Sequence, residues 1–247
     1  NIYVVGVFNT PTLTLDTFTL QNSTGEQLMF VAKLDSNGQL IWVKQSPTIN
    51  IDFNNNFDFK YSNGHLLLNL ALDSCLIYDT ASLCVAQDSA RATVVLYIDA
   101  ADGSLKRYIA ASGAGTYLAM NRYFGLDSIG NLYCSGQIED TININGQTFT
   151  TGNTNGGSDF YLAKFDIAGS LLWLKQYTAT ESMYGSKVMC SPDGRFYASG
   201  RLKGSTLFGS DTISSNGSSS FYARFDAEGN AIGITFLPEG AVYRGPE

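Results

Sequence analysis

Apolar and polar residues alternate in short runs along this chain, and the runs are broken by Gly, Asn and Asp; no stretch of useful length follows a helical period. Alternation with a period of two predicts β-strands with side chains on opposite faces. Asn1-Ile-Tyr-Val-Val-Gly6, His65-Leu-Leu-Leu-Asn-Leu70, Asn131-Leu-Tyr-Cys-Ser-Gly136 and Arg195-Phe-Tyr-Ala-Ser-Gly200 superpose as one strand, with last residues 64, 66 and 64 positions apart. A second strand follows in each copy: Phe30 to Asp35, Val94 to Asp99, Tyr161 to Asp166 and Phe221 to Asp226. Each second strand enters a turn that closes on glycine, at Gly38, Gly103, Gly169 or Gly229.

Within the third copy the pattern predicts strands at about Tyr123 to Asp127, Asn131 to Ile138, Asp159 to Asp166 and Ser170 to Tyr177, with a small hairpin around Asn145-Gly146. Asn-Gly is a strong hairpin signal because both central residues of a type I′ turn need positive φ. Every main connection is therefore expected to be local and antiparallel. In Phe160-Tyr-Leu-Ala-Lys-Phe165 both alternating sets are apolar, which suits a strand covered on both faces. Small sheets stacked face to face meet that requirement. The expected fold is an all-β propeller of four repeats of about 64 residues, each a four-stranded antiparallel blade, spanning residues 1–52, 53–117, 118–181 and 182–247 of a single domain.

The composite of Gly130-Asn131-Leu-Tyr, Gly136, a polar hairpin, Asp159-Phe-Tyr-Leu-Ala-Lys164-Phe-Asp166, Gly169 and Leu172-Trp173-Leu-Lys175 resembles the bacterial β-propeller repeat often labelled SBBP. The second copy departs from it, with Leu70 for the glycine, Tyr97 for the basic residue and Arg107 where Trp42 and Trp173 stand. The resemblance implies a propeller and an exported bacterial protein of the cell surface or a secretion system; it names no activity. Asn1 aligns with Asn131, so the first copy lacks its opening strand. Two readings follow: an excerpt of a longer protein, or a four-bladed ring closed by a strand just outside the sequence.

Composition narrows the function classes. Only 15% of the 247 residues are charged and the net charge is −7, which argues against binding a phosphate backbone. No run is long and apolar enough to span a membrane as a helix. If Asp79-Thr80 is a two-residue turn, Cys75 opposes Cys84, and a disulfide stapling that hairpin is expected; Cys134 and Cys190 read as free thiols in packed strands.

Candidate chemistry is sparse. A single histidine, His65, at the head of a strand leaves no His pair for zinc and no Ser-His arrangement. No metal or cofactor is expected. Asp35, Asp99, Asp166 and Asp226 each precede a glycine turn, where an Asp side chain accepts turn N–H groups. Lys33, Lys164 and Arg224 lie two residues earlier, placed to pair with those carboxylates or to extend at a sheet edge. Trp42 and Trp173 read as packing between repeats. The loops entering each first strand differ between copies, and Asn56, Arg122, Tyr184 and Lys187 are the binding candidates there. The expected function is a non-catalytic extracellular binding or structural module, with a protein or glycan partner at the cell surface. The alternative is a polysaccharide hydrolase or lyase using carboxylates or Tyr at the channel mouth; an ordinary glycosidase would need two acidic groups converging on one cleft.

Overall fold

The computed structural model describes all residues except 47–56, 73–74, 85–90, 114–122, 192–193 and 238–247. Among the described residues there are strands and no α-helix, so the protein is all-β. In the first repeat, β1 (Ile2–Phe8), β4 (Leu28–Leu34) and β5 (Leu40–Gln45) form a sheet in that order, and β2 (Thr12–Leu15) pairs with β3 (Phe18–Gln21) as a hairpin. The second repeat supplies β6 (Phe57–Ser62), β7 (His65–Leu72), the hairpin β8 (Cys75–Tyr78) and β9 (Ala81–Cys84), then β10 (Arg91–Asp99) and β11 (Leu105–Gly113). The third has β12 (Gly125–Leu126), β13 (Leu132–Ile138), the hairpin β14 (Thr141–Ile144) and β15 (Gln147–Thr150), β16 (Asp159–Phe165) and β17 (Leu171–Tyr177). The fourth has β18 (Ser182–Cys190), β19 (Phe196–Phe208), β20 (Asp211–Phe225) and β21 (Ala231–Phe236).

The sheets β12-β13-β16-β17 and β18-β19-β20-β21 are four-stranded meanders whose described ladders are all antiparallel. Among the described residues the first sheet has three strands, β1-β4-β5. All of these sheets are open. The hairpins do not stay within their own repeat: Ala111, Ser112 and Gly113 of β11 pair with Ile144, Asn143 and Ile142 of the next repeat's hairpin. An isolated bridge, Ala179 to Thr206, makes the same connection one repeat later.

The chain divides into two compact units, residues 1–87 with 94–108, and residues 88–93 with 109–247. In the first unit, Lys33 Nζ donates to the Ala100 carbonyl at 2.6 Å and Trp42 Nε1 to the same oxygen at 3.3 Å. The Trp42 ring also lies over the turn at Gly103, where an added methyl would come within 2.9 Å of it. Lys33 thus binds a carbonyl of the following repeat rather than Asp35. In the second unit Trp173 takes the same place against Gly229, stacks on Phe196 with centroids 5.9 Å apart and meets Tyr133 edge-on. Both tryptophans therefore pack between consecutive repeats. Around Trp173 a buried cluster joins the third and fourth sheets through Tyr133, Phe160, Leu162, Phe196, Phe221 and Phe225. Burying an aromatic side chain of this size removes 150–250 Å² from water, and a cluster of them dominates the local energetics.

Register explains the repeat glycine. Gly6 pairs with Phe30, Gly136 with Tyr161 and Gly200 with Phe221. An aromatic ring lies over the glycine from the neighbouring strand: a methyl on Gly6 would be 2.8 Å from the Phe30 ring, and one on Gly200 would be 2.6 Å from Phe221. The second copy has Leu70 and Val94 at the matching positions, exchanging a small-plus-large pair for two of middle size.

The strand-ending aspartates are turn ligands. Asp35 Oδ1 accepts the amides of Asn37 and Gln39 at 2.8 and 2.9 Å, and Asp226 Oδ1 accepts those of Glu228 and Asn230 at 3.1 and 2.7 Å. Asp127, one turn earlier in the third repeat, does the same for Ile129 and Asn131. Gly38, Gly103, Gly169 and Gly229 all have φ near +80°, a region open to glycine and strained for most other residues. Lys164 Nζ lies 4.0 Å from Asp127, across the sheet, and over the Tyr133 ring at 4.9 Å.

Candidate functional site

β18, β19 and β20 meet at a pocket of about 210 Å³ lined by Tyr184, Ser186, Ser199, Gly200, Arg201, Ser220 and Phe221. It exists because β18 carries a bulge: Gly185 pairs with Gly200 and Lys187 with Ser199, leaving Ser186 as the extra residue. A bulge bends its strand and re-aims side chains, and such irregularities concentrate beside binding sites. Glycines hold the strands close here. A methyl on Gly200 would meet the Tyr184 carbonyl as well as Phe221, and one on Gly185 would be 2.6 Å from the Phe160 ring. Phe221 is buried, Ser199 is nearly buried, and Ser186 and Arg201 reach solvent.

The lining residues carry four hydroxyls, one guanidinium and the Tyr184 ring, and no carboxylate. Hydroxyls both donate and accept hydrogen bonds, while a guanidinium only donates, in a planar fork suited to a carboxylate. The chemistry available is recognition of a small, oxygen-rich group.

Of the residues expected to bind, Tyr184 lines this pocket. Lys187 belongs to the same strand but is not in the lining; its ammonium sits over the Tyr123 ring at 5.2 Å. Both residues lie within β18 and not in a loop before it, because the bulge lets the strand begin at Ser182. Asn56 and Arg122 lie outside the described residues. The sequence pattern does not single out Ser199, Arg201 and Ser220. The signal was present, since the positions matching Ser220 are Met29, Thr93 and Phe160, but it becomes meaningful only once the face they occupy is known.

Other titratable groups have structural partners. Asp159 is fully buried, and its Oδ2 accepts the Gly152 amide at 2.6 Å, Gln176 Nε2 at 2.6 Å and the Thr178 hydroxyl at 2.9 Å, clasping the loop after β15 to β17. His65 Nδ1 lies 2.9 Å from the Asn63 carbonyl oxygen at the head of β7. Cys75 and Cys84 face each other across β8 and β9 and form a disulfide. Cys134 is buried, and burial pushes its thiol well above the usual range, leaving it protonated and inert. No group of three or more His, Cys, Asp or Glu placed to hold a metal occurs among the described residues.

No protein-family model matches the chain, and a comparison with curated proteins gives no match.

Proposed function

We propose that this chain is an exported, non-catalytic binding module, built as a β-propeller of the SBBP-like kind, whose partner is a surface glycan or protein held at the pocket on β18 to β20. The observation that carries this reading is the pocket itself. The fourth repeat has Ser220 where the first and third have Met29 and Phe160, and with Tyr184, Ser199 and Arg201 it lines a recess of hydrogen-bonding groups. The propeller reading is supported by the internal repeats and by the face-to-face packing of the third and fourth sheets. Export is supported by the Cys75–Cys84 disulfide, since such bonds persist in oxidising compartments. Among the described residues no helix is long and apolar enough to cross a membrane.

The test is a binding screen of the purified protein against polysaccharides and surface proteins from one host, with Tyr184→Ala as the comparison. Saturable binding of at least one partner, weakened tenfold or more in the variant, is expected. Release of new reducing or unsaturated sugar ends by the wild-type protein, lost in the variant, would show an enzyme and overturn the reading.

A further inference from the structure

Five Asn-Gly pairs occur in the chain, at Asn37, Asn63, Asn145, Asn155 and Asn216. This dipeptide is open to an uncatalysed reaction, because glycine has no side chain to keep its amide nitrogen from the Cγ of the preceding asparagine. The nitrogen gives its proton to solvent and bonds to Cγ, the Cγ–Nδ2 bond breaks, and ammonia leaves a five-membered succinimide. Water then opens the ring. Addition at Cγ gives aspartate, and addition at the main-chain carbonyl carbon gives isoaspartate. Two things decide which pair reacts in a folded chain: whether the asparagine side chain is free to swing, and how firmly the following amide is already engaged.

The structure contrasts three of these pairs. Asn145 is held at both ends of its side chain: Oδ1 accepts the Ala110 amide at 3.0 Å and Nδ2 donates to the Gly169 carbonyl at 3.1 Å. The amide that would attack it, from Gly146, donates to Asn143 Oδ1 at 2.8 Å. Asn155 Nδ2 is tied to the Thr180 carbonyl at 3.1 Å. Asn37 differs from both. Its side chain is exposed and bonds to none of the described residues, and the Gly38 amide makes only a 3.2 Å bond to the Asp35 carbonyl oxygen. That exposure belongs to the turn position. Asp102, Ala168 and Glu228, the residues before the turn glycine in the other repeats, are exposed as well, although Gly103, Gly169 and Gly229 beside them are buried.

We propose that Asn37 is a site of spontaneous deamidation in the folded protein, and that the fold protects Asn145 and Asn155 from the same reaction. The two products differ in their fit. Aspartate suits the turn, since Asp102 and Glu228 already place an acid before the glycine in the second and fourth repeats. Isoaspartate does not, because it adds a carbon to the main chain between Asp35 and Gln39. There the Gln39 amide donates to Asp35 Oδ1 and the Asp35 amide to the Gln39 carbonyl, both at 2.9 Å, and these two bonds close the turn between β4 and β5. The modification thus adds one negative charge to a chain of net charge −7 and, in its isoaspartyl form, opens this turn.

Peptide mapping by mass spectrometry during incubation of the purified chain in mildly alkaline buffer tests the proposal, with isoaspartate detected by an isoaspartyl-directed methyltransferase. In the folded chain Asn37 is expected to gain the mass of an amide-to-acid exchange at least tenfold faster than Asn145 and Asn155. In urea, where none of the three has a partner, that preference is expected to shrink to a few-fold. Asn37→Gln is expected to remove the methyl-accepting peptide of the first repeat, and Asn37→Asp to melt with the wild type. Conversion of Asn145 or Asn155 in the folded chain as fast as Asn37, or no conversion of Asn37, overturns the assignment. A tenfold preference that persists in urea shows that local sequence and not the fold selects the site, and overturns the protective role of the hydrogen bonds. An Asn37→Asp variant that melts well below the wild type overturns the fit of the aspartyl product.

Discussion

Gly200 does two things at one position: it leaves room for the Phe221 ring across the ladder and for the Tyr184 carbonyl that bends over it at the bulge. A side chain there must push one of them away, and overpacking of this sort costs about 1–3 kcal/mol. We expect Gly200→Ala to lower the unfolding free energy by that amount and the urea midpoint with it, while Gly217→Ala, with open space around it, leaves the midpoint where it was. Equal midpoints for the two variants would show that the close approach is not a constraint. The repeat makes Gly6, Gly136 and Gly200 easy to see in the sequence. Their reason is not visible there, because the aromatic residue paired with each glycine lies about 20 to 25 residues away and meets it only through strand register.

At the scale of elements, the turns are the most legible parts of the chain. Asn145-Gly146 sits at the tip of β14 and β15 with φ of 49° and 85°, as a two-residue hairpin requires. The Cys75 and Cys84 pairing follows from the same local counting, with Asp79 at φ 55°. The strand-ending aspartates add a pH dependence. Backbone donation from Ala101 and the Lys106 ammonium at 3.1 Å hold the Asp99 carboxyl below its usual value. For Asp226, burial pushes the other way, but hydrogen bonds from Asn230 and Glu228, with Lys175 nearby, outweigh it and leave the carboxyl low as well. A depressed folded pKa contributes stability that is present above the ordinary carboxylate value, about 3.9, and is lost as pH falls through the lower folded value. Melting temperatures should therefore hold steady above about pH 5 and fall below about pH 4, with a shallower fall in Asp99→Asn; a flat profile down to pH 2 would remove these turns from the account. Element boundaries were less legible at β18, where one bulged residue turns what reads as a loop carrying Tyr184 and Lys187 into strand.

At the scale of the whole molecule, the repeats are joined by a small set of contacts used again and again. Trp42 and Trp173 reach the glycine turns at Gly103 and Gly229 of the following repeats, and a hairpin bonds to the preceding repeat. The Ser46 hydroxyl donates to the Ile77 carbonyl, the Ala110 amide to Asn145 Oδ1, and the Thr180 amide to the Ser205 carbonyl. Removing Trp173 should therefore be felt in the fourth repeat as well as in its own, because its ring stacks on Phe196 and lies against Gly229. We expect Trp173→Ala to cost about 3 kcal/mol and to speed amide exchange in β19 to β21 as much as in β17, where the substitution is made. Exchange that changes in β17 alone would mean the repeats are energetically independent.

The sequence by itself determined the all-β class, the internal repeat, the antiparallel connections, the hairpin disulfide and the structural place of the aspartates and tryptophans. These follow from periodicity, turn chemistry and short counting, which act over a few residues and are written locally. Tertiary structure alone decided what each sheet face meets. Phe160 and Ser220 occupy the same place in their repeats, yet one is sealed against the next sheet and the other lines a pocket beside an exposed arginine. A strand's alternation says that it has two faces, and only packing assigns a neighbour to each. That is why the candidate site lies on strands of the fourth sheet, whereas variation between the copies points to loops.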